Sequence, residues 1–589
     1  MKLFNYLFAA AVTSIVTAML AASGAIACTT MIITKGASAD GSMMVAHSDD
    51  DELGDQRLIF VPAHKQTGKR QIFADQMRYP RIVTDKRGPG YNTGGTPTSP
   101  IYNLSYKEIW KILGKEVPTS YAYYDGNYGI MNEHNLMFGE CTNGANFEPP
   151  YNNGTKKGPL RIFYSAELSR IALENCKTAR EAIVLMGGLI DKYGLFATGE
   201  TLLVADKDEA WVFEMCAVDD DDDNSVWVAQ RVPDGMVFVA ANEFRIREVD
   251  FKDKGHKNFY WSRHLPAGVK GAGYWDGKGK FDWLRYVSPG EYNHPYYSLR
   301  RVWRVLDRVN PDLGLSPWVK DGYTEAYPFA VAPMKKLRAY NVFGLYRDHY
   351  EGTQFDMTKG VAAGPYGDPH RFVGPYDGPQ NNIGGERKMY GAWERAISVF
   401  YQGYTFVCQY RPEAPEATRG ILWFGPDVSY TTCFAPFFTR ASGLNKAYSE
   451  GSPQKLDRNA AWWAFDYLNT LSRNNFQRMT DVDIIPLQRR LEYNSMRFIR
   501  KVDRQVSSLA PQDVPEYLEK VATQNSNNIL EEWWNLGDTL IAKYADGYIN
   551  LPDGDHSNPA TALPVEIGYP STWLDKTNYS NGPTTYDMK

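Results

Sequence analysis

The sharpest hydrophobic pattern begins directly after residue 27. Thr29-Thr30-Met31-Ile32-Ile33-Thr34 reads as a buried strand, Lys35 to Gly41 as a turn, and Ser42-Met43-Met44-Val45-Ala46-His47 as a strand returning beside the first. Further apolar runs bounded by Asn, Asp or Gly predict strands over Tyr128 to Met131, Leu136 to Glu140, Thr201 to Ala205, Ala210 to Met215 and Met236 to Ala240. Between them, Ile162, Leu168, Ile171, Ala172, Ala182 and Leu185 recur at helical spacing, with a break near Cys176 to Thr178, which predicts two packed helices over Arg161 to Tyr193. The texture changes at Ala460. Ala460 to Asn475, Pro486 to Ser508 and Val514 to Tyr544 combine helix formers with periodic Leu, Ile and Trp, and predict a helical C-terminal section. Lys252 to Gln380 is rich in Gly, Pro and Tyr, and predicts long loops over the core with short helical pieces such as Leu299 to Arg308.

Ahead of the first strand, Lys2 precedes an apolar stretch from Leu7 to Leu20 and small residues ending in Ala25-Ile26-Ala27. This is the pattern of a secretory signal with an A-x-A cleavage site, so residues 1–27 are expected to direct export and be removed. Thr13, Ser14 and Thr17 interrupt the apolar stretch, which falls short of the ~20 residues a membrane span needs. No span is expected after processing. Loss of Lys2 takes the formal charge from -5 to -6, and no long Lys/Arg run is present, which argues against a nucleic-acid partner. The five consecutive acids Asp219 to Asp223 read as a solvated loop, since a calcium loop needs spaced oxygen ligands and usually a turn glycine. Aromatic residues make up 14% of the chain, which fits a large aromatic core better than glycan-stacking surfaces. The six cysteines are scattered, with no C-x-x-C pair to suggest zinc or redox chemistry; with Cys28 committed to catalysis, the five others leave at least one thiol unpaired.

The candidate chemistry follows from the cut. Removal of residues 1–27 would give Cys28 a free α-amine beside its own thiol. With pKa values near ~7.7–8.0 and ~8.5, the amine can take the thiol proton around neutral pH without a histidine. No internal cysteine has this arrangement. Competing readings of Cys28 are a lipidated residue, because Ala25-Ile26-Ala27-Cys28 partly matches a lipobox, an inert buried thiol, and a disulfide partner.

The segments that follow favour catalysis. Cys28-Thr29-Thr30, then Asp40-Gly41-Ser42, then Ala46-His47-Ser48-Asp49-Asp50 resembles the opening hairpin of N-terminal-nucleophile hydrolases, specifically the cysteine dipeptidase family related to secernins. It is more distantly similar to the penicillin and bile-salt acylases. The resemblance continues through Gly129-Ile130-Met131-Asn132-Glu133, Ala241-Asn242, Tyr350-Glu351-Gly352-Thr353, Asp356-Met357-Thr358-Lys359-Gly360 and Ala363-Gly364-Pro365, as far as about Arg440. It implies an α+β fold, a four-layer αββα sandwich with an added helical C-terminal section: a catalytic domain over residues 28–450 and helices over 451–589, which could pack on the same domain. It also implies a dipeptidase that needs no metal or organic cofactor and acts on small peptides through a thioester on Cys28.

By the same resemblance, Asp50 is the acid beside the nucleophile and Asn242 the side-chain donor to the oxyanion. His47 stands where the acylase relatives carry Arg, a departure because an imidazole lacks the constant charge of a guanidinium; a structural role is equally open for it. Thr142 and Asn143 align with substrate-facing positions, though a strand-end turn explains them as well. Asn132 and Glu133 are expected to shape a turn, and the Glu351 to Gly364 motif is either a loop bordering the site or a brace. Two alternatives stand beside the dipeptidase: an acyl-amide hydrolase of the penicillin or bile-salt acylase type, and a surface lipoprotein that binds glycans or peptides and is anchored through Cys28. The expected location is periplasmic or extracellular, lipid-anchored if Cys28 is acylated, and the sequence leaves the oligomeric state open.

Overall fold

In the computed structural model, Thr29–Ile33 (β1) and Met43–Asp49 (β2) pair antiparallel, Thr30 opposite His47 and Ile32 opposite Val45, as the hydrophobic pattern predicts. The structure describes residues 28–51, 56–73, 101–218, 225–292, 294–371, 393–453, 455–550 and 564–578. Residues 1–27, expected to be a secretory signal, and the acid run Asp219 to Asp223 lie outside them.

The remaining strands of the two large sheets follow in chain order. They are Ile59–Val61 (β3), Tyr123–Asp125 (β4), Gly129–Asn132 (β5), Met137–Asn143 (β6), Gly199–Ala205 (β7), Ala210–Ala217 (β8), Ser225–Val232 (β9), Val237–Ala240 (β10), Phe259–Trp261 (β11), Ala330–Val331 (β12), Tyr404–Tyr410 (β13), Gly420–Pro426 (β14) and Ala435–Phe438 (β15). One sheet has seven strands in the order β12-β10-β1-β2-β13-β14-β15, and the other eight in the order β11-β9-β8-β7-β6-β5-β4-β3. Among the described residues, every strand pairing within them is antiparallel. This is an α+β architecture.

The sheets face each other, with β1 and β2 packed on β6 and β7. They come close at Gly139 of β6, where any Cβ would collide with Thr30 Oγ1 and crowd Val45; only glycine lets the sheets come together there. Alternation along β8 shows how the eight-stranded sheet is used. Ala210, Val212 and Cys216 join the core between the sheets, while Trp211, Phe213 and Met215 join a second core under the helices on the far face.

Those helices are Tyr106–Leu113 (α1), Ser165–Asn175 (α2) and Ala179–Tyr193 (α3). The break between α2 and α3 falls where the sequence places it, because Thr178 caps α3 by accepting from the Glu181 amide. Asn132 does what was expected of a turn residue: its Oδ1 accepts from the His134 and Leu136 amides, while its Nδ2 reaches the carbonyls of Leu173 and Cys176 at the end of α2. A buried ionic cluster locks this layer together: Arg70 binds Glu167 and Glu174, and Arg170 binds Asp125 and Glu167.

On the other side, Leu299–Val309 (α4) and Ala339–Tyr346 (α5) pack on β10 and β13. The C-terminal section forms Ala461–Ser472 (α6), Ile485–Val506 (α7) and Val514–Lys543 (α8), with α7 and α8 against β15. Among the described residues, no helix is long and apolar enough to cross a membrane.

Candidate active site

Cys28 immediately precedes β1, a strand paired on both edges, by β10 and by β2. Side chains alternate along a strand, so Cys28 shares the side of Thr30, which faces the second sheet. The residue is wholly buried. Its thiol and ligand atoms of His47 and Glu140 all lie within 4.8 Å of one another. Among the described residues they form the one group of His, Cys, Asp or Glu close enough to hold a metal ion, and the N, S and O donors suit zinc by type. Burial pushes the thiol well above its usual pKa, and the nearby Glu140, Asp49 and Asp50 carboxylates add to this; the Asp50 amide opposes them by hydrogen bonding to the sulfur. So placed, the thiol stays protonated around neutral pH, and it can act as a nucleophile only with a base at hand.

Arg301, from α4, clamps the backbone at this point. Its Nη1 donates to the Cys28 carbonyl at 2.9 Å and to Thr29 Oγ1 at 3.0 Å, and its Nη2 to Asn242 Oδ1 at 2.7 Å. Tyr346 of α5 donates its hydroxyl to the Thr29 carbonyl at 3.0 Å. Arg301 is buried, and the oxygens it donates to are carbonyl, hydroxyl and amide oxygens, so it works as an orienting donor to neutral groups. Burial and the like charge of Arg395 lower its pKa.

The site residues expected from sequence fall as follows. Asp50 is buried and accepts from Arg395 Nη2 at 2.6 Å, while its Oδ1 meets no donor in hydrogen-bonding geometry. Burial raises its pKa, and Arg395 opposes the rise. Asn242, just past β10, adopts a left-handed conformation with φ of 59°, which Asn tolerates better than most residues. Its Nδ2 donates to the Thr142 carbonyl at 2.6 Å, and its backbone amide to Cys141 Sγ at 2.6 Å. Donation to an oxyanion therefore requires Nδ2 to share or leave the Thr142 carbonyl. Thr142 and Asn143 are buried at the end of β6: Thr142 Oγ1 donates to Glu140 Oε1 at 2.9 Å, and Asn143 Nδ2 to Thr201 Oγ1 at 2.7 Å.

His47 is buried against Tyr128, Tyr404 and Phe406, its Nδ1 lying 2.9 Å from the Glu140 carbonyl oxygen, so the ring ties one sheet to the other. Burial lowers its pKa to about 3. The ring is thus neutral, and the constant charge near Cys28 comes from Arg301. A testable consequence follows. The unfolded chain protonates His47 near 6.5 and the folded chain only near 3, so this residue costs stability as pH falls through that window. Between pH 6.5 and about 4, His47→Gln is expected to lose less stability than the native protein, by on the order of 3 kcal/mol, in denaturant midpoints at the two pH values.

The segment that leads into the Glu351 to Gly364 motif is tied to α4 and to Arg395. Asp348 accepts from Arg304 and Arg308, Arg304 also donates to the Glu351 carbonyl at 2.8 Å, and the Tyr350 hydroxyl donates to the Arg395 carbonyl at 2.5 Å. Arg301, Arg395, Tyr346 and the buried Glu140 and Glu200 carry no signal in the sequence that separates them from surface residues. The helical spacing of Leu299 to Arg308 points to a helix that contains Arg301 without saying which face is buried. All six cysteines lie within the described residues, and all are free, buried thiols.

A model of peptidase family C69 matches residues 27–82 and 118–485 of the chain. Curated relatives include a probable dipeptidase of Latilactobacillus sakei, 25% identical over 78% of this chain and 83% of its own length. A probable dipeptidase of Salmonella dublin is 25% identical over 70% of this chain and 81% of its own length. A dipeptidase of Bifidobacterium longum is 24% identical over 82% of this chain and 84% of its own length.

Proposed function

The chain belongs to peptidase family C69, and on that premise we propose that it is an exported cysteine dipeptidase whose nucleophile is Cys28, freed by removal of residues 1–27. The two facing sheets with helices on both outer sides are then the αββα sandwich of the N-terminal-nucleophile hydrolases. One observation carries the reading: the residue after the A-x-A site is a buried cysteine at the head of a central strand, its carbonyl clamped by Arg301 and its sulfur set beside Glu140, His47 and Asp50.

Removal of the leader creates an ammonium close to Asp50, whose Oδ1 meets no donor in hydrogen-bonding geometry and is suited to receive it. In its neutral form the amine takes the Cys28 proton, and the sulfur attacks the scissile carbonyl. The protonated amine then returns the proton to the departing C-terminal amino acid, leaving a thioester. Water, activated by the same amine, releases the N-terminal residue and regenerates the thiol. Asn242, held by Arg301, donates to the oxyanion.

Intact mass of the purified mature protein, paired with a panel of dipeptides and acyl amides, tests this directly. The expected result is an unmodified N-terminus at Cys28 and preference for dipeptides. A diacylated Cys28 would point to a lipoprotein, and preference for acyl amides to an acylase.

A further inference from the structure

Behind the Cys28 thiol lies a second feature that the reaction above does not use. Thr142 of β6 stands opposite Glu200 of β7, so Glu140, Thr142 and Glu200 share one face of the sheet. Both glutamates are almost wholly buried. Glu140 Oε1 accepts from Thr142, but Glu140 Oε2 and both oxygens of Glu200 meet no donor in hydrogen-bonding geometry. The Glu140 carboxyl and the Tyr164, Ser165 and Thr142 hydroxyls lie close enough to Glu200 to favour its charged form against burial. Among the described residues, neither glutamate forms an ion pair with Lys, Arg or His at the distances seen elsewhere in the chain. Two carboxyls brought together out of water, with acceptor oxygens unfilled, call for a cation with several N–H donors. Burial holds Glu200 at about 7 and raises Glu140 well above its usual range, as expected of an unoccupied acid pair.

We propose that the Glu140–Glu200 pair receives the free α-ammonium of the substrate, making an unblocked amino terminus the condition for productive binding at Cys28. The inference rests on the dipeptidase reading and names what selects the substrate. Peptide geometry supports it. The α-nitrogen of the residue whose carbonyl is attacked lies about 2.5 Å from that carbonyl carbon, given the standard bond lengths and angle. A ligand oxygen of Glu140 lies within 4.8 Å of the attacking sulfur, so a substrate turned with its α-nitrogen toward Glu140 can bring the ammonium within hydrogen-bond reach of that carboxyl. An ammonium offers three donors and a full positive charge. An N-acylated peptide offers one donor and no charge, and leaves the acids buried without a counter-ion.

The test uses processed enzyme and a dipeptide alongside its N-acetylated counterpart. Native enzyme is expected to prefer the free dipeptide by about a hundredfold or more in kcat/KM. Glu200→Gln is expected to raise KM for the free dipeptide at least about tenfold with a much smaller change in kcat, and to cut the preference by a similar factor, whereas Glu200→Asp keeps most of it. The rate at which iodoacetamide alkylates Cys28, followed against pH, is expected to be the same in Glu200→Gln and native enzyme, because the pair serves the substrate and not the catalytic amine. Calorimetric binding of both peptides to Cys28→Ala protein, with and without Glu200→Gln, reads the same selection without turnover. Undiminished preference in Glu200→Gln would overturn the proposal, as would parallel loss on both peptides together with a displaced alkylation profile. If native enzyme binds and cleaves no dipeptide at all, the dipeptidase reading falls and this inference with it; if it cleaves dipeptides and Glu200→Gln keeps the selection, this inference alone falls.

Discussion

Processed protein carrying Cys28→Ala is expected to lose dipeptide hydrolysis by at least about ten-thousandfold while keeping its unfolding midpoint within a few degrees. Removing one sulfur from a packed site costs little stability. It leaves the amine with no thiol to deprotonate and the scissile carbonyl with no attacker. The clamp from Arg301 binds the Cys28 carbonyl and Thr29, so it survives the substitution, and the loss falls on chemistry and not on the fold. Cys216→Ala and Cys408→Ala, in buried strands away from the clamp, serve as controls that are expected to retain turnover. Turnover and thermal unfolding measured on one preparation check both halves. Residual hydrolysis near the native rate would remove Cys28 from the mechanism.

The largest loss of stability is expected from Arg395→Met. Arg395 holds the buried carboxylate of Asp50 at 2.6 Å and lies 5.1 Å over Tyr401 and 5.6 Å over Tyr297, so its removal leaves a buried carboxyl without its counter-ion. Breaking one partner of a buried pair costs about 3–5 kcal/mol. Pairing the change with Asp50→Asn removes that carboxyl, and the double variant is expected to regain at least about half of the lost stability. Chemical denaturation of the native protein, both single variants and the double measures that coupling. Purely additive effects would mean that the pair does not interact as the structure places it.

Much of the architecture is legible in the sequence because it comes from local periodicity. The β1–β2 hairpin, the paired helices α2 and α3 with their break at Thr178, and the three C-terminal helices all follow from spacing along a few tens of residues. The site is legible only where a short motif carries it: Cys28 after its A-x-A, Asp50 after the returning strand, Asn242 after β10. What the sequence hides is assembled from far apart. Arg301 is 273 residues from Cys28, and Arg395 is 345 from Asp50. An arginine in the Gly-, Pro- and Tyr-rich span looks like any other solvated cation, since burial of a charge is decided by the fold around it. The same holds for Glu140 and Glu200. Each sits in a strand-like run, and only the register between β6 and β7 makes them neighbours.

The placement of the proposed nucleophile at the head of a doubly paired strand also has a consequence for how such a molecule can change. Backbone bonded along both edges is a poor place for variation, since a shift there disturbs a whole sheet. Tyr292 and Tyr297, by contrast, stand on connecting segments outside the sheets, with Tyr297 close to both site arginines. Retuning the enzyme toward new side chains is therefore a matter of rebuilding these loops while the frame that carries the sulfur stays fixed.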